Sequence, residues 1–219
     1  MKILAISDIH GEFDRFSPDA LPDADVLLFA GDATNDGTRR PREIAAAEEW
    51  FRRAVRRFTF VRYVLGNHDI RMADTFFNAT GAISLEANWF QYFDVFFRGA
   101  SLSTCFDVPG LALEWERMTA DPAADRDYFA SIPCADVLVS HSPPFGCLDE
   151  WISPGSGRHI GSPGALTYIE RHAPRLCVCG HIHEAAGMAK IGPTLVVNTA
   201  RRAALIDLTD ASVSAEFVV

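Results

Sequence analysis

Five of the seven histidines stand in short polar clusters, each of which follows an apolar run: Asp8-Ile9-His10-Gly11, Gly31-Asp32, Gly66-Asn67-His68-Asp69, Ser140-His141 and Gly180-His181-Ile182-His183. In Asp8-Ile9-His10 and His181-Ile182-His183 the outer residues are two apart. At an extended strand end both therefore point to one side while the isoleucine turns inward, so each pair can offer two ligands. The donors are imidazole nitrogens, carboxylate oxygens and an amide oxygen, with no thiolate, a set that suits manganese, iron or zinc; calcium or magnesium would want more oxygens. Two carboxylates, Asp8 and Asp32, against a pair of divalent ions leave a positive pocket that attracts phosphate. Two ions roughly 3.5–4 Å apart can lower the pKa of a shared water, hold it in line with phosphorus and stabilise the leaving oxygen, and a bridging carboxylate is needed to hold them.

Clusters so far apart in sequence need a scaffold that gathers them. The runs Ile3 to Ile6, Val26 to Ala30, Phe60 to Leu65, Val137 to Ser140, Leu176 to Cys179, Leu195 to Asn198, Ala204 to Leu208 and Val213 to Val219 read as strands. In open α/β sheets the site lies beyond the carboxyl ends of the strands, so clusters placed just after strands converge on one crevice. Pro41 to Phe58 reads as a helix with an apolar stripe of Ile44, Ala47, Trp50, Phe51, Ala54, Val55 and Phe58, another begins at Ser162-Pro163 and stops before Pro174, and a short one runs from Asp121-Pro122 to near Ile132. Strands and helices alternate early and strands crowd the end, which predicts an α/β sandwich with mostly parallel pairing first and hairpins later. The aromatics of 90–133 argue for burial, but that stretch carries no assignable chemistry.

The ordered set Asp8-x-His10, Gly31-Asp32, Gly66-Asn67-His68-Asp69, His141 and Gly180-His181-x-His183 resembles the signature of the calcineurin-like metallophosphoesterases. Ser140-His141-Ser142-Pro143-Pro144 and Asp149-Glu150-Trp151 are further similar to the branch of metallophosphoesterase-domain-containing proteins, some animal members of which lack a histidine where this chain has His181. The resemblance implies a four-layer αββα sandwich of two mixed sheets flanked by helices, one domain over 1–219, and two divalent or mixed-valence transition ions (Mn, Fe or Zn). It implies Asp8, His10, Asp32 and His183 on one metal and Asp32, Asn67, His141 and His181 on the other, with Asp32 bridging. His68 would contact substrate phosphate, with Asn67 nearby, or protonate the leaving oxygen, and Asp69 would orient its imidazole.

Other features have plainer readings. Cys177 and Cys179 flank Val178 and read as core packing, and five cysteines without paired spacing exclude a disulfide framework or a thiolate zinc site. Arg52, Arg53, Arg56 and Arg57, set among glutamates, read as a solvated helix face. His172 reads as structural near a helix end. The stretch from Pro154 to Gly164 reads as a flexible loop from whose rim Arg158 could meet a substrate phosphate, and Asn198 could support the ligands from behind.

A formal charge of −9 disfavours an extended nucleic-acid surface, which needs basic stripes. No apolar run reaches the roughly 20 residues of a membrane span, and an early acidic residue argues against a secretory leader, so a cytoplasmic location is the expectation. The expected activity is hydrolysis of a small phosphodiester, such as a cyclic nucleotide, by hydroxide formed on the metal pair. The competing expectations are a phosphomonoesterase acting on nucleotides or phosphoproteins, a nuclease, and a catalytically weak scaffold that binds proteins.

Overall fold

In the computed structural model, which describes residues 1–105, 117–153 and 156–219, the apolar runs become strands covered on both faces. Strand β1 (Lys2–Ile6) shows why: Leu4 and Ile6 enter one core, Ile3 and Ala5 enter another, and all four are fully buried. Next to it lie β2 (Val26–Ala30), β3 (Phe60–Val64) and β4 (Ile83–Ser84), all parallel. Later strands complete a second sheet: β5 (Phe90–Tyr92), β6 (Val95–Ala100), β9 (Val137–Ser140), β12 (Leu176–Cys179), β13 (Gly187–Ile191) and β14 (Thr194–Asn198). Two short pairs stand apart, the parallel β7 (Ser103–Thr104) with β8 (Met118–Thr119) and the antiparallel β10 (Glu150–Ser153) with β11 (Ser156–His159). The chain then returns to the first sheet through β15 (Ala203–Leu208) and β16 (Val213–Phe217).

The two six-stranded sheets run β16-β15-β1-β2-β3-β4 and β13-β14-β12-β9-β6-β5. Their centres are parallel. The pairs β15–β16 and β13–β14 are antiparallel, as the late hairpins required. Between the sheets lies a core that includes Ile3, Leu28, Val64, Phe97, Val139 and Val178. Helix α1 (Pro41–Arg57) covers the outer face of the first sheet with Ala47, Trp50, Phe51 and Ala54 against Leu27, Phe29 and Tyr63. Helices α2 (Pro122–Ala130) and α3 (Pro163–His172) cover the second sheet, where Phe129, Ala165 and Ile169 meet Leu138, Cys177 and Val196. Helix, sheet, sheet, helix is the four-layer sandwich expected.

Local chemistry sets the helix ends. These three helices carry proline in the first turn. The Asp121 and Ser162 side chains accept the amides of Ala123 and Ala165, leaving fewer unsatisfied donors. The α1 arginines form the solvated face read from their spacing, with Arg52 on Glu48 at 3.0 Å, Arg56 on Glu49 at 3.1 Å, and Arg53 and Arg57 on Asp19 and Asp23. Cys177 and Cys179 are fully buried, and the His172 ring packs 4.7 Å from that of Tyr168.

One expectation is corrected. The stretch from Pro154 to Gly164 is not simply a loop: Ser156–His159 pairs with Glu150–Ser153 as a strand. Its glycines hid it. Gly157, a residue that looks like a loop signal, stands in the strand opposite Ile152. Pro154, Gly155 and residues 106–116, which include part of the stretch whose aromatics argued for burial, lie outside the described residues. Among the described residues no helix is long and apolar enough to cross a membrane.

Candidate metal centre

The strand-end clusters meet where β1, β2, β3, β9 and β12 finish. Asp8, His10, Asp32 and His181 all have left-handed backbones, with φ of 54°, 47°, 56° and 70°. Such a conformation costs a non-glycine residue about 1–3 kcal/mol and persists only where the surroundings impose it. Two glycines permit the crowding: a Cβ on Gly66 would lie 2.2 Å from Asp32 Oδ1, and one on Gly180 would lie 2.2 Å from Asp8 Oδ2.

Asp32 sits at the middle. Its Oδ1 accepts the His68 amide at 2.8 Å, while Oδ2 lies 3.7 Å from His10 Nε2 and 3.3 Å from His141 Nε2. Asp8 Oδ1 lies 3.8 Å from His10 Nε2 and 3.3 Å from His183 Nε2. Asn67 Oδ1 is 3.1 Å from His141 Nε2. Two groups of possible ligands result, Asp8 with His10 and His183, and Asp8 with Asp32 and His141. Asp8 thus belongs to both, although the family resemblance assigned it to one.

His10 Nε2 tests whether cations fit. It is buried and has no hydrogen-bond partner, with its two neighbouring carboxylates too distant for a hydrogen bond. An orphaned buried nitrogen is costly. Ligands bonded at about 2.0–2.2 Å to one ion stand about 3–4 Å from each other, so a cation among these atoms would satisfy the nitrogen and offset both carboxylates. The residues fit divalent metal ions.

The electrostatics agree. Burial opposes charge on His141, but Asp32 outweighs it and lifts the pKa to about 9, so the carboxylates make this a place that favours positive charge. Burial opposes ionisation of Asp32 too, yet His141 and His10 hold its carboxyl well below the usual range. His181 is pushed down to about 4 by burial and by His141, which keeps it neutral and thus in the ligand form. Its Nε2 stands 3.4 Å from the Thr104 carbonyl, while its amide donates to both Asp8 oxygens at 3.1 and 3.0 Å.

The outer contacts differ from expectation in one respect. Asp69 does not orient His68. Its carboxylate accepts the amides of Asp32, Ala33, Thr34 and Gly66 and the Thr34 hydroxyl, and so fixes the Asp32 loop. These five donors are nearer and fully buried, which is why the carboxylate turns to them. The His68 ring is held instead by the Asn35 carbonyl, 2.8 Å from Nδ1, which places the proton on Nδ1 in the neutral ring. Asn35 in turn donates to the His10 carbonyl at 2.8 Å and to Glu43, whose carboxylate also accepts the Asn35 amide at 3.2 Å. Sequence reading passed over Asn35 and Glu43, though an asparagine three residues after Asp32 and an acid in the first turn of α1 were visible. Asn198 supports from behind, donating to the carbonyls of Ile182 and Leu148 at 3.0 and 3.1 Å. His141 Nδ1 is anchored on the Ala30 carbonyl at 2.7 Å.

A cleft of about 230 Å³ opens over the centre. Asp32, Asn67, His68, His181 and His183 form its polar part; Cys105, Met118, Trp151, Ile160 and Ile182 form the apolar part, and Thr104 and Glu184 complete it. Arg158 does not line it. It lies exposed on β11, paired in register with Trp151.

Comparison with known proteins bears on this arrangement. The family profile described as calcineurin-like phosphoesterase matches residues 1–185. A UPF0046 protein of Caenorhabditis elegans is 28% identical over 215 residues, covering 92% of this chain and 70% of the relative. An uncharacterised protein of Methanocaldococcus jannaschii is 28% identical over 206 residues, covering 90% and 87%. Human metallophosphoesterase domain-containing protein 1 is 28% identical over 226 residues, covering 90% of this chain and 65% of that protein. Among solved structures, the phosphopantetheinyl hydrolase of Mycobacterium tuberculosis superposes with a TM-score of 0.64 at 16% identity over 90% of this chain and 88% of that one, a likeness of fold.

Proposed function

For a chain that belongs to the calcineurin-like phosphoesterase family, and is thereby a metallophosphoesterase, we propose hydrolysis of a small phosphodiester at a two-metal centre bridged by Asp32. The observation that carries this reading is the single Asp32 oxygen set between the nitrogens of His10 and His141, at 3.7 and 3.3 Å. Asp8, His10, His183 and Asp32 would hold one ion, and Asp32, Asn67, His141 and His181 the other, with manganese, iron or zinc best matched to these donors. When bound, such a pair lowers the pKa of a water and offsets charge on the phosphate oxygens.

The chain's own groups do the rest. His68 lines the cleft and donates its Nδ1–H to the Asn35 carbonyl; as the imidazolium it would give its Nε2 proton to the departing ester oxygen and be left as the neutral ring protonated on Nδ1. Asn35 and Glu43 hold that ring at its angle. Asp69 holds the Asp32 loop, and Asn198 holds the backbone between His181 and His183.

A diester is favoured over a monoester by charge. Beyond the ligands and His68, the described residues of the cleft include no lysine or arginine, and Glu184 adds a negative group. Away from the metal pair the second charge of a monoester dianion meets Glu184 without a lysine or arginine to offset it, whereas a singly charged diester is repelled less. The substrate is small, since the net charge of −9 offers no basic track for a nucleic acid. We take residues 1–219 as one phosphoesterase domain working in an aqueous compartment.

The test is hydrolysis of bis(4-nitrophenyl) phosphate and 4-nitrophenyl phosphate by protein reconstituted with manganese, iron or zinc. Faster turnover of the diester supports the reading. Preference for the monoester contradicts the diester assignment, and no hydrolysis with bound metal favours a protein-binding scaffold.

A further inference from the structure

The apolar part of the cleft has no role in the chemistry described above, and apart from Ile182, which lies between His181 and His183, its residues come from different segments from those of the ligands. Trp151 lies in β10, Ile160 directly after β11, and Met118 in β8. Ile160 is fixed at both ends of its peptide unit, its amide donating to the Asp149 carbonyl at 3.2 Å and its carbonyl accepting the Thr104 hydroxyl. The half-buried Trp151 indole contrasts with the buried Trp50. Trp50 packs edge-on against Phe29 and Phe51 and donates to the Phe16 carbonyl, whereas Trp151 has no ring partner among the described residues and lines the cleft.

We propose that Trp151, with Met118, Ile160 and Ile182, forms a subsite for a planar uncharged ring carried on one ester oxygen, so that the chain selects phosphodiesters bearing an aromatic ring or nucleobase over those with small alkyl groups. The proposal rests on the phosphodiester reading. An indole that lines the cleft without a ring partner among the described residues offers stacking that is indifferent to the ring's hydrogen-bonding edge, so the subsite selects for aromaticity before base identity. Size permits it: a cavity of about 150 Å³ can hold a benzene ring, and this cleft of about 230 Å³ leaves room for phosphate as well. Charge restricts it, because with Glu184 on the lining and no lysine or arginine among the described lining residues, a second phosphate on the ring-bearing group finds no counter-charge away from the metal centre.

The experiment uses the metal-reconstituted full chain with bis(4-nitrophenyl) phosphate as substrate and phenyl phosphate and inorganic phosphate as competitive inhibitors. Wild type is expected to bind phenyl phosphate roughly tenfold or more tightly than inorganic phosphate, the scale of one ring–aromatic stack. In Trp151→Ala that ratio falls to near one with the inorganic phosphate constant unchanged, and KM for the diester rises by a similar factor while kcat stays nearly constant. Trp151→Phe keeps most of the ratio. Trp151→Leu, which preserves apolar bulk without an aromatic face, loses it and replaces the alanine variant should that one fail to fold. Equal inhibition of wild type by the two phosphates, or a ratio that survives in Trp151→Ala and Trp151→Leu, overturns the subsite. A wild-type protein that binds metal but hydrolyses no diester overturns the phosphodiester reading beneath it instead.

Discussion

The polar and apolar parts of the cleft are built by opposite means. The candidate ligands stand at the ends of central strands, on left-handed backbone at Asp8, His10, Asp32 and His181, and buried carboxylates grip the surrounding loops through five donors on Asp69 and the His181 amide on Asp8. Apart from Ile182, the apolar part stands on or beside the two-stranded hairpin β10–β11 and the β7–β8 pair, outside both large sheets. A centre that must hold atoms to within tenths of an ångström is placed on the rigid element, and the surface that chooses among substrates is placed on an appendage that can vary without disturbing it.

The largest effect that would break this contrast is expected at Asp32. Asp32→Ala should lose both ions together and reduce diester hydrolysis by more than the roughly 100-fold typical of losing a group behind the ligands; metal analysis of the purified variant checks it, and full metal content would show that Asp32 is no bridge. Next is His68→Ala, for which metal content should persist while kcat on an unactivated dialkyl or nucleoside diester falls about 10²–10⁴-fold, the usual worth of a general acid. Substrates with nitrophenyl leaving groups should respond less, because they need little protonation.

Glu43→Gln should act more gently, since Asn35 remains but loses the carboxylate that steadies it. A kcat loss of about 10- to 100-fold with metal retained is expected, as for other groups that orient a reacting side chain; an unchanged rate would mean the His68 ring is held without this chain of contacts. The smallest effect belongs to the appendage. His159 Nδ1 contacts the buried Asp149 carboxylate at 2.7 Å, and that hydrogen bond and charge raise its pKa. The imidazolium therefore favours the folded hairpin base below an ordinary pKa of about 6.5, and this contribution fades as the pH climbs through the raised value. NMR titration of the ring should show the upward shift in wild type and its loss in Asp149→Asn.

Legibility in the sequence divides along the same line. Val26–Ala30, Val137–Ser140 and Leu176–Cys179 are read to the residue because strands buried on both faces are continuous apolar runs bounded by glycine or a polar cluster. The ligand clusters are readable because each follows such a run. Asn35 and Glu43 escape notice because their role depends on where α1 folds back onto the Asp32 loop, a tertiary fact without local pattern. Asp69 is misjudged for the same reason: adjacency to His68 in sequence suggests a contact, while the nearer amides of the folded loop take the carboxylate. Strand β11 is hidden by Gly157, which reads as a turn although it pairs with Ile152.

Metal stoichiometry measures the central claim most directly. Wild-type protein, freed of metal and reconstituted with manganese, iron or zinc, is expected to hold two ions per chain by elemental analysis. Saturation at one ion per chain with each of the three metals would contradict a centre built around a shared Asp32.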